Sequence, residues 1–288
     1  MDLFNFDPRC ISEHMRGFGA SLSVLALSAA LAAGAWSYFD RAGSAAPAGS
    51  DAACQDEYAQ AARPMTTSHV QLLCFQHFAV GYSPDTLTAR WSAERLSGAA
   101  VEAGRTIGRA EDFHPDPRLT GEPHPELSDY RRSGFDRGHL TPSADMPNAD
   151  ARDETFSLAN IVPQDPTNNR HIWSDIEQTI RRVARQRGAV YVVTGPIFAA
   201  QPGYIRGGVA VPVGLFKAVL IPGVGAAAYI SENVARRNWR VISIDALNRL
   251  AGVDPFPSLG SGARRNPVEL PVPYGYHRSR EGREGATI

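Results

Sequence analysis

Asp136-Arg137-Gly138-His139-Leu140-Thr141-Pro142, then Asn160-Ile161-Val162-Pro163-Gln164, then Asn168-Asn169-Arg170-His171-Ile172-Trp173-Ser174-Asp175-Ile176-Glu177: these three segments decide how the rest of the chain is read. They combine histidine, arginine, carboxamides and carboxylates without a cysteine or a lysine, which is chemistry for oxygen-rich anions. Ile172, Trp173, Ile176, Ile180 and Val183 recur at helical spacing, so the third segment reads as an amphipathic helix. Asn169 and Glu177 lie eight residues apart, close to two turns, and project from a similar side about 12 Å apart along the axis. That is too far for two short side chains to bind one cation directly. If Asn169 is a ligand, Glu177 acts on the ion's water shell, an arrangement suited to Mg2+, which takes oxygen ligands and keeps several waters. His139 adds a base that accepts a proton near neutral pH. Arg137, two residues earlier, shares its face on an extended strand and offers a bidentate fork to phosphate oxygens.

In order and spacing these segments resemble the DNA/RNA non-specific endonuclease family, the Serratia-type nucleases of the ββα-metal superfamily. The likeness covers about Leu72 to Leu259. It implies an α+β fold, with a central, mostly antiparallel sheet flanked by helices and a ββα-metal (His-Me finger) unit at its edge. It also implies hydrolysis of phosphodiester bonds in DNA and RNA to 5'-phosphate products. Carried over by residue, His139 is the general base, Asn169 the sole protein ligand of a hydrated Mg2+ (Mn2+ as substitute), and Glu177 holds metal-bound water. Arg137 is the site arginine, and Asn160 supports the site geometry. The segment Arg109-Ala110-Glu111-Asp112-Phe113-His114-Pro115-Asp116-Pro117 resembles the family's upstream tract, making Arg109 the phosphate-binding candidate in competition with Arg105 one turn away. Asn168 competes with Asn169 for the parts of helix cap and ligand, since Asn fills a cap well. Asp136 reads as a backbone-orienting or arginine-pairing acid. Family members are often dimers, so a homodimer is expected as a partner arrangement. A second reading keeps the fold as a non-catalytic nucleic-acid-binding or surface-interaction protein, and a third restricts the nuclease to single strands or damaged ends.

With 288 residues, 43% of them hydrophobic, the chain can bury a substantial core. A net charge of -1 is evidence against a protein that coats nucleic acid tightly and independently of sequence, but leaves room for an enzyme with its phosphate contacts in one cleft. Arg181, Arg182, Arg185 and Arg187 read either as the solvated back of the helix or as a phosphate-tracking rim. Residues 17–39 carry no charge, and 23 helical residues span about 35 Å, enough for a bilayer core of roughly 30 Å. A cleaved signal, an uncleaved membrane anchor and a buried helix compete there; either export reading puts the nuclease motifs in the periplasm or outside the cell. Residues 40–53, rich in Ala, Gly, Ser and Pro, read as a linker, 54–259 as the nuclease domain and 260–288 as a flexible tail. Cys54 and Cys74 lie beyond the apolar run, so in an oxidising compartment a disulfide is the leading reading.

Leu72–Tyr82 and Thr88–Glu94, broken by Ser83-Pro84-Asp85-Thr86, read as a hairpin of two strands. Ala189–Val193 reads as a short buried strand closed by Thr194-Gly195-Pro196. Val209–Val213, Phe216–Ile221, Ala226–Ile230 and Trp239–Ile244 read as further strands of one sheet. Gly188 is the expected C-terminal cap of the long helix, and a short capped helix is expected around Ala246–Gly252.

Overall fold

The computed structural model describes residues 51–108, 112–119 and 121–275. Its centre is a seven-stranded sheet in which every neighbouring pair is antiparallel, so the fold is α+β. Labelled in chain order, the strands are β1 (Gln71–Cys74), β2 (Ala79–Ser83), β3 (Thr88–Ser97), β6 (Ala189–Ile197), β7 (Gly214–Ile221), β8 (Gly225–Glu232) and β9 (Arg240–Ile242). They lie in the order β9-β8-β7-β6-β3-β2-β1. Between β3 and β6 the chain makes a separate ribbon, β4 (Asp136–His139) against β5 (Ile161–Gln164). Three helices matter below: α1 (Gly98–Gly104), α2 (Ser174–Arg187) and α3 (Ile244–Ala251).

Both faces of the sheet are covered, which explains why the strands are apolar throughout instead of alternating. On one face Val80, Tyr82, Leu96, Val192, Leu215 and Tyr229 pack under Ile172, Trp173, Ile176 and Ile180 of the α2 segment. On the other, Trp91, Ala93, Phe216, Ala228 and Ile230 pack against Leu247 of α3, Phe256, and Cys54 and Tyr58 from the first described turn. Cys54 is disulfide-bonded to Cys74, the last residue of β1. The caps follow local chemistry. Gly188 ends α2 at φ +84°, Ser243 accepts from Ala246 N at the start of α3, and Gly252 closes α3 in the left-handed region.

Several expectations are corrected. The tract Leu72–Tyr82 is two strands, because the chain reverses at Gln76 and His77, where Phe75 N bonds Phe78 O (2.9 Å). β6 runs on to Ile197 through Gly195 and Pro196, since beyond Thr194 it pairs only with β7, and a proline is tolerated where one edge is free. Ala210–Val211 lies outside the large sheet, in a two-stranded ladder with Gly203–Tyr204. The helix predicted from Ile172 is entered through a π-helical turn, Asn168–Trp173. Asp51–Glu57 is a 3-10 helix, so the linker expectation does not hold for its last residues. The flexible tail expected from residue 260 is packed as far as Gly275. Arg264 bonds Asp245 (3.0 Å) and Asp254 (2.9 Å), Leu270 joins the core, and Tyr229 donates to Pro271 O (2.5 Å).

The apolar run 17–39, with its signal and anchor readings, lies outside the described residues, as do 40–50 and 276–288. Among the described residues no helix is long and apolar enough to cross a membrane.

Since fully burying a leucine is worth roughly 1.5–3 kcal/mol, ending the chain at Leu259 is expected to lower unfolding free energy by about 2–4 kcal/mol in urea titration. An unchanged midpoint would show residues 260–275 to be dispensable.

Candidate functional site

The ribbon is built so that three of its four β4 positions are used differently. Register pairs Asp136 with Gln164, Gly138 with Val162 and His139 with Ile161. Arg137 and His139 share a face, and Phe113 meets both: the Arg137 guanidinium lies 4.3 Å above its ring and the His139 ring centre is 5.3 Å away. Phe156 meets the imidazole edge-on at 4.9 Å and Phe113 at 5.0 Å, so the three rings form one cluster. Gly138 faces inward, where any Cβ would overlap the Gln164 carboxamide. Only glycine lets β4 lie this close.

Directly after His139 the chain is clamped. Leu140 N bonds Asn160 O (3.0 Å), and the Asn160 side chain accepts from Thr141 N (3.0 Å) while donating to Thr141 O (2.9 Å) and Thr155 O (3.0 Å). Asn160 is fully buried and acts on the backbone beside His139. Thr141 also bonds Ser92 of β3 (2.7 Å), and the Leu140 carbonyl accepts from Lys217 of β7 (3.0 Å).

The π-turn separates the two adjacent asparagines. Asn168 is buried; its Oδ1 accepts from Gln164 (2.7 Å) and its Nδ2 donates to Ser231 and to Glu232 O (both 2.7 Å). Asn169 lines an open cleft of about 500 Å³ together with Phe113, Arg131, Phe135, Asp136 and Arg137. Its Nδ2 donates to Asp136 Oδ2 (3.0 Å), which leaves the carboxamide oxygen as the outward acceptor. Arg170 grips the same carboxylate from Nε (2.8 Å) and Nη2 (2.6 Å). Burial alone would raise the Asp136 pKa, but the hydrogen bonds from Arg170 and Asn169, with Arg137 nearby, hold it below the usual carboxylate range. π-turns recur at functional sites because the added residue redirects a side chain.

Glu177, on the first turn of α2, keeps part of its surface accessible. Burial of its carboxylate nevertheless pushes the pKa up to about 7, against the opposing pull of Lys217 and Arg181. Arg181 itself pairs with Asp145 (2.8 Å), Arg185 with Glu102 (3.4 Å), and Arg182 lies over Tyr274, so this face of α2 is engaged with its neighbours. Arg109 lies outside the described residues; Arg105 pairs with Glu102 (3.1 Å).

Sequence reasoning missed Phe156 and Lys217. Lys217 was visible as a lone lysine inside the apolar run Gly214–Ile221, where alternation from Leu215 and Val219 puts it on an inward face.

A two-stranded ribbon with Arg137 and His139 on one face, followed by a helical turn that presents Asn169 into the cleft Arg137 and Phe113 also line, defines a nuclease of the ββα-metal class. The chain belongs to the DNA/RNA non-specific endonuclease family, which it matches over residues 59–261. Mitochondrial endonuclease G of Homo sapiens is 34% identical over 211 residues, 66% of this chain and 70% of that protein. A nuclease of Nostoc sp. is 31% identical over 202 residues, covering 64% and 72%. Nuclease C1 of Cunninghamella echinulata var. echinulata is 32% identical over 160 residues, 51% of this chain and 64% of its own length. A solved chain from the EndoG/EndoGI complex superposes with a TM-score of 0.59 at 24% identity, over 68% of this chain and 89% of that one, and so shares the fold. Membership of the family supports endonuclease activity on nucleic acid.

Two outcomes follow from the packing and charge. Gly138→Ala is expected to cost about 1–3 kcal/mol by overpacking against Gln164 and to disturb the Gln164–Asn168 bond, read by unfolding midpoint and by loss of activity together. Native Glu177 holds its proton up to about pH 7, whereas the unfolded chain loses it near the ordinary value of 4.5. Stability therefore falls as pH rises through that window and levels off above it. Glu177→Gln should flatten the decline and gain about 1–3 kcal/mol at pH 8 relative to wild type, discounted here for the exposed part of the side chain. Parallel stability curves for the two proteins between pH 4 and 8 would contradict this origin.

Proposed function

We infer that this chain is a metal-dependent, sugar-nonspecific endonuclease that hydrolyses DNA and RNA to products with 5'-phosphate ends. The observation that supports it most is the shared face of Arg137 and His139 around Phe113, opening onto the cleft lined by Asn169. Among the described residues no three His, Cys, Asp or Glu side chains gather to hold a metal ion. The donor set fits a different kind of attachment: one neutral carboxamide oxygen on Asn169, its nitrogen fixed on Asp136, suits hydrated Mg2+, and Mn2+ by the same chemistry. When bound, such an ion supplies Lewis-acid stabilisation of a phosphate oxygen and of the leaving 3'-oxygen.

The chain's own residues do the rest. His139, packed against Phe113 and Phe156, takes the proton of the attacking water. Arg137 offers two N–H groups to the phosphate as negative charge builds on it. Glu177 accepts a hydrogen bond from water in the cleft, and Arg109 is the second phosphate contact. Asp136 sets the direction of the Asn169 oxygen and acts as a positioning residue.

The Cys54–Cys74 disulfide supports work in an oxidising compartment outside the cytoplasm, in the periplasm or beyond. Residues 17–39 would deliver or anchor the protein there.

Digestion of plasmid DNA and of RNA with Mg2+, and its arrest by EDTA, tests the reading, with ligation of the products reporting 5'-phosphates. His139→Ala is expected to lose at least about 10²-fold in rate with its thermal midpoint retained. Near-normal cleavage by a folded His139→Ala protein would remove His139 from the mechanism, and wild-type binding without cleavage of either substrate would favour a non-catalytic nucleic-acid-binding protein.

A further inference from the structure

The catalytic cleft does not end at the ribbon. A second cavity of about 550 Å³ adjoins it, and Arg131 and Phe135 line both. Both volumes lie in the roughly 300–1,000 Å³ range of small-ligand sites, so each accommodates a nucleotide-sized group. The second cavity adds Arg132, Arg206 and Tyr204. Tyr204 is 58% exposed, yet its backbone is held in the ladder with Ala210, and the turn beyond it is closed by bonds between Ile205 and Val209 (3.0 Å) and between Gly208 and Ile205 (3.3 Å). An exposed aromatic ring therefore stands on a rigid support. Arg131, Arg132 and Arg206 are exposed, and none of them pairs with a carboxylate among the described residues. The one acid in the wall, Asp129, is buried and accepts from Glu126 N (2.8 Å), and its single charge is outnumbered by the three arginines. Arg132 moreover sits at φ +57°, a left-handed backbone that a bulky residue occupies at some cost and that clusters at functional sites.

We propose that this second cavity is a strand-binding subsite that seats an unpaired nucleotide flanking the scissile phosphate, with Arg132 and Arg206 on its phosphates and Tyr204 stacked on its base. The proposal rests on the nuclease reading above and adds the substrate form. Arginines interleaved with an exposed ring suit single strands, whose bases have free faces for stacking. A duplex keeps its bases stacked internally and offers the groove its backbone alone. With a net charge of -1 on the chain, such a local excess of arginine is the favoured place for a polyanion to continue beyond the reacting bond.

Binding of a fluorescent oligodeoxythymidylate, about twelve nucleotides long, is measured by anisotropy in EDTA for wild type, Arg132→Gly, Arg206→Ala and Tyr204→Ala. Hydrolysis of the same oligonucleotide and of bis(p-nitrophenyl) phosphate, a diester that fills the catalytic pocket alone, is measured with Mg2+. Glycine is the residue that the Arg132 backbone favours, so Arg132→Gly keeps the fold while removing the charge. Tyr204→Ala is expected to weaken binding at least about 5-fold. Each arginine change should lower the slope of log affinity against log salt by about 0.7. KM for the oligonucleotide should rise in all three, with the small-diester rate unchanged. Wild-type affinity, slope and KM in Arg132→Gly and Tyr204→Ala would overturn the subsite, as would a loss of duplex binding with single-strand binding intact. If wild type hydrolyses neither substrate, the nuclease reading falls by itself, and the anisotropy still decides whether the groove binds a strand.

Discussion

A buried ammonium holds the reactive strand in place. Lys217 of β7 is almost fully enclosed, donates to the Leu140 carbonyl (3.0 Å) and to Thr194 (2.7 Å), and lies 5.4 Å from the centre of the Trp173 ring. An isolated cation in such surroundings would be strongly unfavourable. Here the two hydrogen bonds and the indole face offset that cost. The contact joins the three parts that must agree for the site to exist: the large sheet through β7, the strand through the residue after His139, and the helical segment through Trp173. Asn160 secures the same stretch from the other side by bonding both backbone groups of Thr141.

The same layer holds more carboxyl groups than one ammonium could balance if all were ionised. Glu94 is 2% exposed, its Oε1 has no hydrogen-bond partner among the described residues, and burial together with Asp145 drives its pKa well above the ordinary range. Glu57 is pushed up to about 7 by burial as well. Three carboxyls thus resist ionisation near one another. Such an arrangement is unfavourable for folding at alkaline pH and useful in a site that must manage water and protons, the usual tension between stability and activity.

What the sequence revealed depended on how local the physics was. The order Arg137, His139, Asn160, Asn169, Glu177 was legible because each stands in a short motif, and the caps at Gly188 and Ser243 because a cap involves only its own turn. The choice between Asn168 and Asn169 was not, since it turns on a π-turn, where Asn168 finds Ser231 and Glu232 sixty-odd residues away. Strand ends were misjudged for the same reason: β6 runs through Gly195 and Pro196 because β7 lies beside it there, and no propensity within the tripeptide says so. The packed tail beyond residue 260 looked polar and glycine-rich, yet Arg264 finds two acids from distant turns. The Asp136 carboxylate was read as an arginine partner or a backbone anchor; that it also aims a neighbouring carboxamide needed coordinates.

Lys217 is the single lysine of the chain and is only 1% exposed. A lysine-specific protease therefore finds no target on the folded surface and one target in the unfolded chain, in the middle of the central sheet. Amine-directed acylation does not reach this side chain in the native molecule. Digestion or labelling at this one side chain reports opening of the whole core, without any introduced probe.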